Sequence, residues 1–235
     1  MMHSRHQPPV RGLALVLVGA LASACSSAGA PGSSAAAPGS SGPRPSTAGL
    51  PAACPGSAPA HAAAGSVATV TIETPKGTIV MKLEADLAPA AVGNFLALAR
   101  CGYYDGVVFH RLVPGFVIQG GDGQFGKASG LDESRVGRGG PGYTIDDDPV
   151  KVPYARGVVA MARTPQPHSE GSQFFIVLAD EARPALESAN TYAIMGHVTS
   201  AMDVVDAIAA MPNSGDPNNS ALDPVPMTKV SVNTP

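Results

Sequence analysis

From Val67 onward apolar and polar positions alternate. Val70 and Ile72 stand between Thr69, Thr71 and Glu73, and after Thr74-Pro75-Lys76-Gly77 the alternation resumes at Ile79, Met81 and Leu83. Successive side chains of an extended chain point to opposite faces, so this period on either side of a Pro- and Gly-containing turn predicts a β-hairpin. At Pro89 the period changes. Val92, Phe95, Leu96 and Ala99 fall at i, i+3, i+4 and i+7, and proline suits a first helical turn, so a helix is predicted over Pro89 to Arg100. A second helix is predicted from about Ala201, with Ser200 and Asp203 as its capping pair and Val204, Val205, Ile208 and Ala209 on its buried side. The other apolar runs, at 107–109, 116–118, 158–161, 174–178 and 192–195, are short and bounded by Gly- and Pro-containing turns. Many short strands with two helices predict a mainly β fold, a sandwich or a closed barrel.

The N-terminal part follows neither period. Arg5 and Arg11 precede an apolar run over 13–21, and Ala22, Ser23 and Ala24 lead to Cys25. A basic flank, a short apolar run and a small-residue site make a signal peptide over 1–24, and the run falls short of the roughly 20 residues of a permanent membrane span. Leu21-Ala-Ser-Ala-Cys25 resembles a bacterial lipobox, whose cysteine is lipidated and becomes the mature N-terminus. The expected place is the outer face of the bacterial cytoplasmic membrane, anchored through lipid on Cys25. Cleavage without lipidation, giving a secreted protein, is the alternative. Ala, Ser, Gly and Pro then supply 35 of the 40 residues between Ser26 and Gly65, too little apolar surface to offset the entropy of ordering a backbone. Residues 25–65 are therefore expected to form a disordered tether and 66–235 the folded domain. Cys54 and Cys101 leave two readings open: a disulfide, which an oxidising compartment permits, or a small buried thiol at Cys101.

Composition narrows the chemistry. With 15 Lys+Arg against 18 Asp+Glu, a net charge of −3 and no Trp, the chain lacks both a basic surplus for phosphates and a stacking surface for bases, so no nucleic-acid partner is expected. Gly-x-Ser-x-Gly, Walker, Cys-x-x-Cys and His-Glu-x-x-His signatures are all missing. His110, His168 and His197 are scattered, so neither metal nor cofactor is expected. Asp146, Asp147 and Asp148 precede Pro149 and point different ways, which reads as a solvated turn.

The informative segment is Phe109-His110-Arg111-Leu112-Val113-Pro114-Gly115-Phe116-Val117-Ile118-Gln119-Gly120-Gly121-Asp122. Ala160-Met161-Ala162-Arg163 and Gly171-Ser172-Gln173-Phe174-Phe175 follow it. On a regular strand Phe109 and Arg111 share a face, which sets a guanidinium beside an aromatic wall. Together with Gly139-Gly140-Pro141-Gly142-Tyr143 and Gly196-His197-Val198, these segments resemble the cyclophilin family of peptidyl-prolyl cis–trans isomerases. The resemblance covers nearly all of the globular part. It implies a closed eight-stranded antiparallel β-barrel with a helix over each open end. It also implies a cofactor-free isomerase, monomeric, acting on proline-containing segments of exported proteins. By the same match Arg111 is the catalytic residue, aiming a donor at the prolyl nitrogen. Phe116, Val117, Met161, Phe175 and Leu186 would line the proline pocket, with His110 and Tyr192 at its rim. Gln119 would hold the substrate carbonyl, and Ala162, Arg163 and Gln173 would grip the peptide, Arg163 through its backbone.

Several positions depart from the family pattern. No tryptophan precedes Leu186, so weak cyclosporin binding is expected; Tyr192 stands where animal members carry histidine, and Val117 replaces a more usual methionine. Residues 127–136 read as an insertion beside the groove. A membrane-tethered peptide-binding or chaperone module using the same groove with little turnover is the alternative function.

Overall fold

The computed structural model describes residue 51 and residues 53–234. The predicted signal peptide, Cys25 and most of the predicted tether lie outside the described residues.

The first hairpin pairs β1 (Val67–Thr74) with β2 (Gly77–Glu84) in full register, from Val67 opposite Glu84 to Thr74 opposite Gly77. Gly77 closes the turn at φ 132°, a left-handed region that suits glycine. α1 (Pro89–Arg100) carries proline in its first turn and has no cap from its own N-cap side chain. Its unsatisfied N-terminal donors are met from a distance, Ala91 N–H donating to Asp148 Oδ2 at 2.9 Å.

The remaining strands are β3 (Val108–Val113), β4 (Val117–Gly120), β5 (Val158–Met161), β6 (Phe174–Val177), β7 (Ile194–Ser200), β8 (Ser220–Pro226) and β9 (Lys229–Asn233). They form one antiparallel sheet in the order β8-β3-β4-β6-β5-β7-β2-β1-β9. Its two outermost members are consecutive in sequence, with only Met227 and Thr228 between them. β8 pairs with β3 and β9 with β1, so a single bent segment joins the two edges of the curled sheet. Counting that segment once gives the eight staves expected.

Alternation divides the strands between two clusters. Ile118, Val159, Met161, Phe174, Ile176 and Met195 point inward to a core shared with Phe95 of α1 and Ile208 of α3 (Met202–Ala209). There Phe95 stacks on Tyr104 at 4.7 Å and meets Phe174 edge-on at 5.4 Å. Val117, Val158, Ala160, Phe175, Val177 and Ile194 point outward into a second cluster.

Two helical expectations are corrected. The capping pair at α3 does not form: Ala201 occupies the N-cap in the left-handed conformation with no side-chain bond, because Ser200 still belongs to β7. A third helix exists, α2 (Arg183–Ala189), ended by Asn190 in the left-handed conformation. It buries only Leu186, so it leaves no periodic trace in the sequence.

Part of the segment expected to be disordered is packed on the domain. Cys54 is bonded to Cys101 at the end of α1 (S–S 1.99 Å), and Ala62 N–H donates to Pro89 O at its start, 2.9 Å away. Residues 54–62 thus form a strap along the helix. Gly93 permits the approach, since a Cβ there would stand 2.5 Å from Ala60 O. The question left open for the cysteines is answered by the bridge.

Candidate active site

The outward cluster is roofed by Ala182 and Leu186 from around α2 and flanked by Phe116, Ala162 and Tyr192. Phe175 is its aromatic centre and meets Tyr192 edge-on at 5.4 Å. The Tyr192 backbone is fixed by one phenol: Tyr192 N–H donates to Tyr154 Oη at 3.1 Å, and Tyr154 O–H donates to Tyr192 O at 2.9 Å. Burial raises the Tyr154 hydroxyl to about 12, which keeps it a neutral donor.

Arg111 stands on β3 opposite Gln119 of β4 and Ser220 of β8, just past a register shift. That bulge overturns the expectation that Phe109 and Arg111 share a face. Phe109 is fully buried in the interior, edge-on to Phe174 at 6.1 Å, and the following two residues are turned away from it. Arg111 is half-buried; burial lowers its pKa, while Tyr192 and Asp216 act the other way. A guanidinium remains charged through such a shift.

Gln119 Nε2 donates to Gln173 Oε1 at 3.0 Å, and Gln173 Nε2 donates to Gly139 O at 2.8 Å. Beside them runs a groove of about 540 Å³, lined by Gln119, Gln124, Arg138, Ala162, Thr164 and Gln173 among others. Its outer wall, 122–139, is organised by the fully buried Asp122. Oδ1 of Asp122 accepts from Gln124 and Phe125 N–H at 3.0 and 2.9 Å, and Oδ2 from Gly137 and Gly139 N–H at 2.8 and 2.9 Å. Within the expected insertion, Arg135 pairs with Asp132 and lies 4.3 Å over the Phe125 ring.

The family model described as cyclophilin type peptidyl-prolyl cis-trans isomerase/CLD matches residues 69–232. The chain belongs to the cyclophilins. It is a peptidyl-prolyl cis–trans isomerase. A probable peptidyl-prolyl cis-trans isomerase of Brucella abortus is 41% identical over 155 residues, covering 61% of this chain and 77% of that one. One from Acinetobacter baylyi is 34% identical over 178 residues, covering 74% of this chain and 88% of that one. A cyclophilin type isomerase of Cryptosporidium parvum superposes with a TM-score of 0.58 at 26% identity, covering 71% of this chain and 98% of that one. The same protein crystallised in the presence of the dipeptide Ala-Pro gives 0.57 at 27% identity, covering 70% and 98%.

In this cyclophilin Phe116, Val117, Gln119, Ala162, Gln173, Phe175, Leu186 and Tyr192 lie on the outward cluster or the adjoining groove, and Arg111 stands opposite Gln119 on the neighbouring strand. Two expected members do not. Met161 is fully buried in the interior, opposite Phe174, because alternation along β5 turns Ala160 outward and Met161 inward. His110 is buried against Gly137 under the 122–139 wall instead of standing at the rim, and burial lowers its pKa to about 4. Arg163 lines the groove, but its side chain is occupied: it pairs with Asp147 at 3.1 Å and donates to Thr164, Gln166 and Thr191 carbonyls.

The solvated-turn reading of 146–148 is corrected by the same contacts. Asp147 holds Arg163, Asp148 holds the start of α1, and only Asp146, pairing with His168, stays largely in solvent. Asp122, Tyr154 and Glu170 were missed as supports of the site. Asp122 closes the quoted motif and was visible there; Tyr154 and Glu170 carry no local signal, since their partners are 38 and 23 residues away in sequence.

Proposed function

We propose that this cyclophilin accelerates X–Pro rotation in exported proteins outside the cytoplasm, anchored to the membrane by lipid on Cys25. The basic flank, apolar run and Cys25 in the sequence support export. The Cys54–Cys101 bond supports it too, because oxidising compartments sustain disulfides and the cytosol does not.

The carrying observation for mechanism is the half-buried Arg111 on β3, standing opposite Gln119 of β4 in the strand register. Rotation about an amide breaks its conjugation, against a barrier of about 18–20 kcal/mol. No covalent bond is made. At the twisted geometry the prolyl nitrogen regains a localised lone pair, so a donor aimed there binds the transition state better than either ground state. Arg111 supplies that donor. Phe116, Val117, Phe175, Leu186 and Tyr192 hold the proline ring, and Gln119 accepts the role of orienting the substrate carbonyl. The main chain at Ala162 and Arg163 aligns the peptide, as extended ligands bind chiefly through backbone groups.

A charge-assisted hydrogen bond is worth about 1.5–3 kcal/mol, so Arg111→Ala is expected to lower kcat/KM by about 10- to 100-fold in a folded protein. Exchange NMR on an Ala-Pro peptide with the full-length protein measures it. A variant of wild-type activity would overturn the mechanism and favour positioning by the pocket alone.

A further inference from the structure

Gln173 stands just beyond the end of a ladder. β4 and β6 are paired as far as Gly120 opposite Phe174, and past that pair the segments 121–123 and 171–173 belong to no strand. A chain of buried hydroxyls joins them there. Ser172 Oγ lies 2.7 Å from Gly121 O and 2.8 Å from Tyr103 Oη, and Gly123 N–H donates to Tyr103 Oη at 3.1 Å. Each hydroxyl has one proton to give, and a carbonyl oxygen only accepts. Ser172 O–H therefore donates to Gly121 O, and Tyr103 O–H must donate to Ser172 Oγ. The chain runs from Gly123 N–H through Tyr103 and Ser172 back to Gly121 O. It leaves the segment after Gln119 and returns to it by way of the residue next to Gln173.

Tyr103 is held for this task from outside the site. Its N–H donates to Leu98 O of α1 at 3.0 Å and its carbonyl accepts from Lys127 Nζ at 2.6 Å, so its backbone has partners other than the Cys54–Cys101 bond. Tyr103 and Ser172 are each 1% exposed, too buried for water to replace a lost bond without cost. The approach is close: a Cβ on Gly123 would stand 2.4 Å from Cζ of the Tyr103 ring. Two further buried groups act on the same dipeptide, Tyr104 O–H donating to Ser172 O at 2.9 Å and Asn94 Nδ2 donating to Gly171 O. Tyr103 alone among these three bonds both segments.

We propose that Tyr103 is a positioning residue for the isomerisation, its O–H continuing the β4–β6 pairing past the last backbone pair and so setting Gln173 against Gln119 beside the proline pocket. Tyr103 lines neither the outward cluster nor the groove. It acts through Ser172, which lines the groove, and through the Gln119–Gln173 bond one residue further on.

The role presupposes the active-site placement proposed above, and its test is separate. Tyr103→Phe keeps the ring and removes the linking proton. With the loss of one hydrogen bond, kcat/KM of the full-length protein is expected to fall about fivefold, read by exchange NMR on an Ala-Pro peptide at a temperature where circular dichroism shows the variant folded. A purely structural loss would be the same size whatever occupies position 173. Positioning acts through Gln173, so in a Gln173→Leu background Tyr103→Phe is expected to change kcat/KM by less than about twofold. Ser172→Ala breaks the same link from its other end and is expected to show the same dependence on Gln173, which keeps the test open if Tyr103→Phe does not fold. Wild-type kcat/KM in both variants, a loss of equal size with and without Gln173, or failure of both variants to fold would each overturn the proposal. Failure of the active-site placement reads differently, as an Arg111→Ala variant with undiminished activity.

Discussion

Gln173 is gripped from both sides, its Oε1 accepting from Gln119 and its Nε2 donating to Gly139 O, at 3.0 and 2.8 Å. This pair connects the strand facing Arg111 to the groove wall organised by Asp122. Gln173→Leu keeps the volume and removes both bonds. Each hydrogen bond is worth about 0.5–1.5 kcal/mol, so loss of both is expected to lower kcat/KM by about 5- to 150-fold in a protein that still folds. An unchanged kcat/KM would reduce the pair to a structural link.

The strap makes a second expectation. The Cys54–Cys101 bridge encloses a 47-residue separation, for which loop-closure entropy gives about 4 kcal/mol. Cys54→Ser with Cys101→Ser is expected to lower the unfolding free energy by about that amount in denaturant titration. Isomerase activity under native conditions is expected to be retained, because α1 and its strap do not contribute to the outward cluster.

His110 sets a limit on the acid side. Buried and neutral, it titrates at about 4 when folded against an ordinary 6.5, so the unfolded chain takes up a proton first as pH falls. Its contribution is present above 6.5 and is lost as pH falls towards 4, about 3 kcal/mol in all. Denaturation curves at pH 7 and pH 4.5 are expected to differ less in His110→Asn than in the wild type. Equal pH dependence in both would remove His110 as the cause.

Anchoring is tested at Cys25. Cys25→Ala is expected to move the protein from the membrane fraction to the soluble exported fraction, read by fractionation and immunoblot. Continued membrane association would exclude the lipid anchor.

How much of this was legible depended on whether the deciding partner was near in sequence. The β1–β2 hairpin and α1 were readable because one period runs through each without interruption. β5 and β6 were readable as strands, but all their residues are buried, so an apolar run could not tell Met161, facing in, from Phe175, facing out. The bulge after Phe109 arises from pairing with β4 and β8, which no local pattern encodes. The strap was hidden because alanines and prolines pack on α1 only where Gly93 makes room. Of the site itself, the motif residues Arg111, Gln119, Gln173 and Phe175 were recognisable together. Their supports Tyr154 and Glu170 were not, since a buried phenol and a buried acid look like any other until the chain folds around them.

The bent segment through Met227 and Thr228 fixes the order in which this molecule can become complete. Until residues 220–233 are available, the edges of β3 and β1 both lack the partners they have in the native sheet. A chain emerging N-terminus first therefore carries two open edges until residues 220–233 have left the ribosome. An enzyme that catalyses rotation about X–Pro bonds thus depends, for closing its own sheet, on a segment synthesised well after the β1 and β3 edges it must cover.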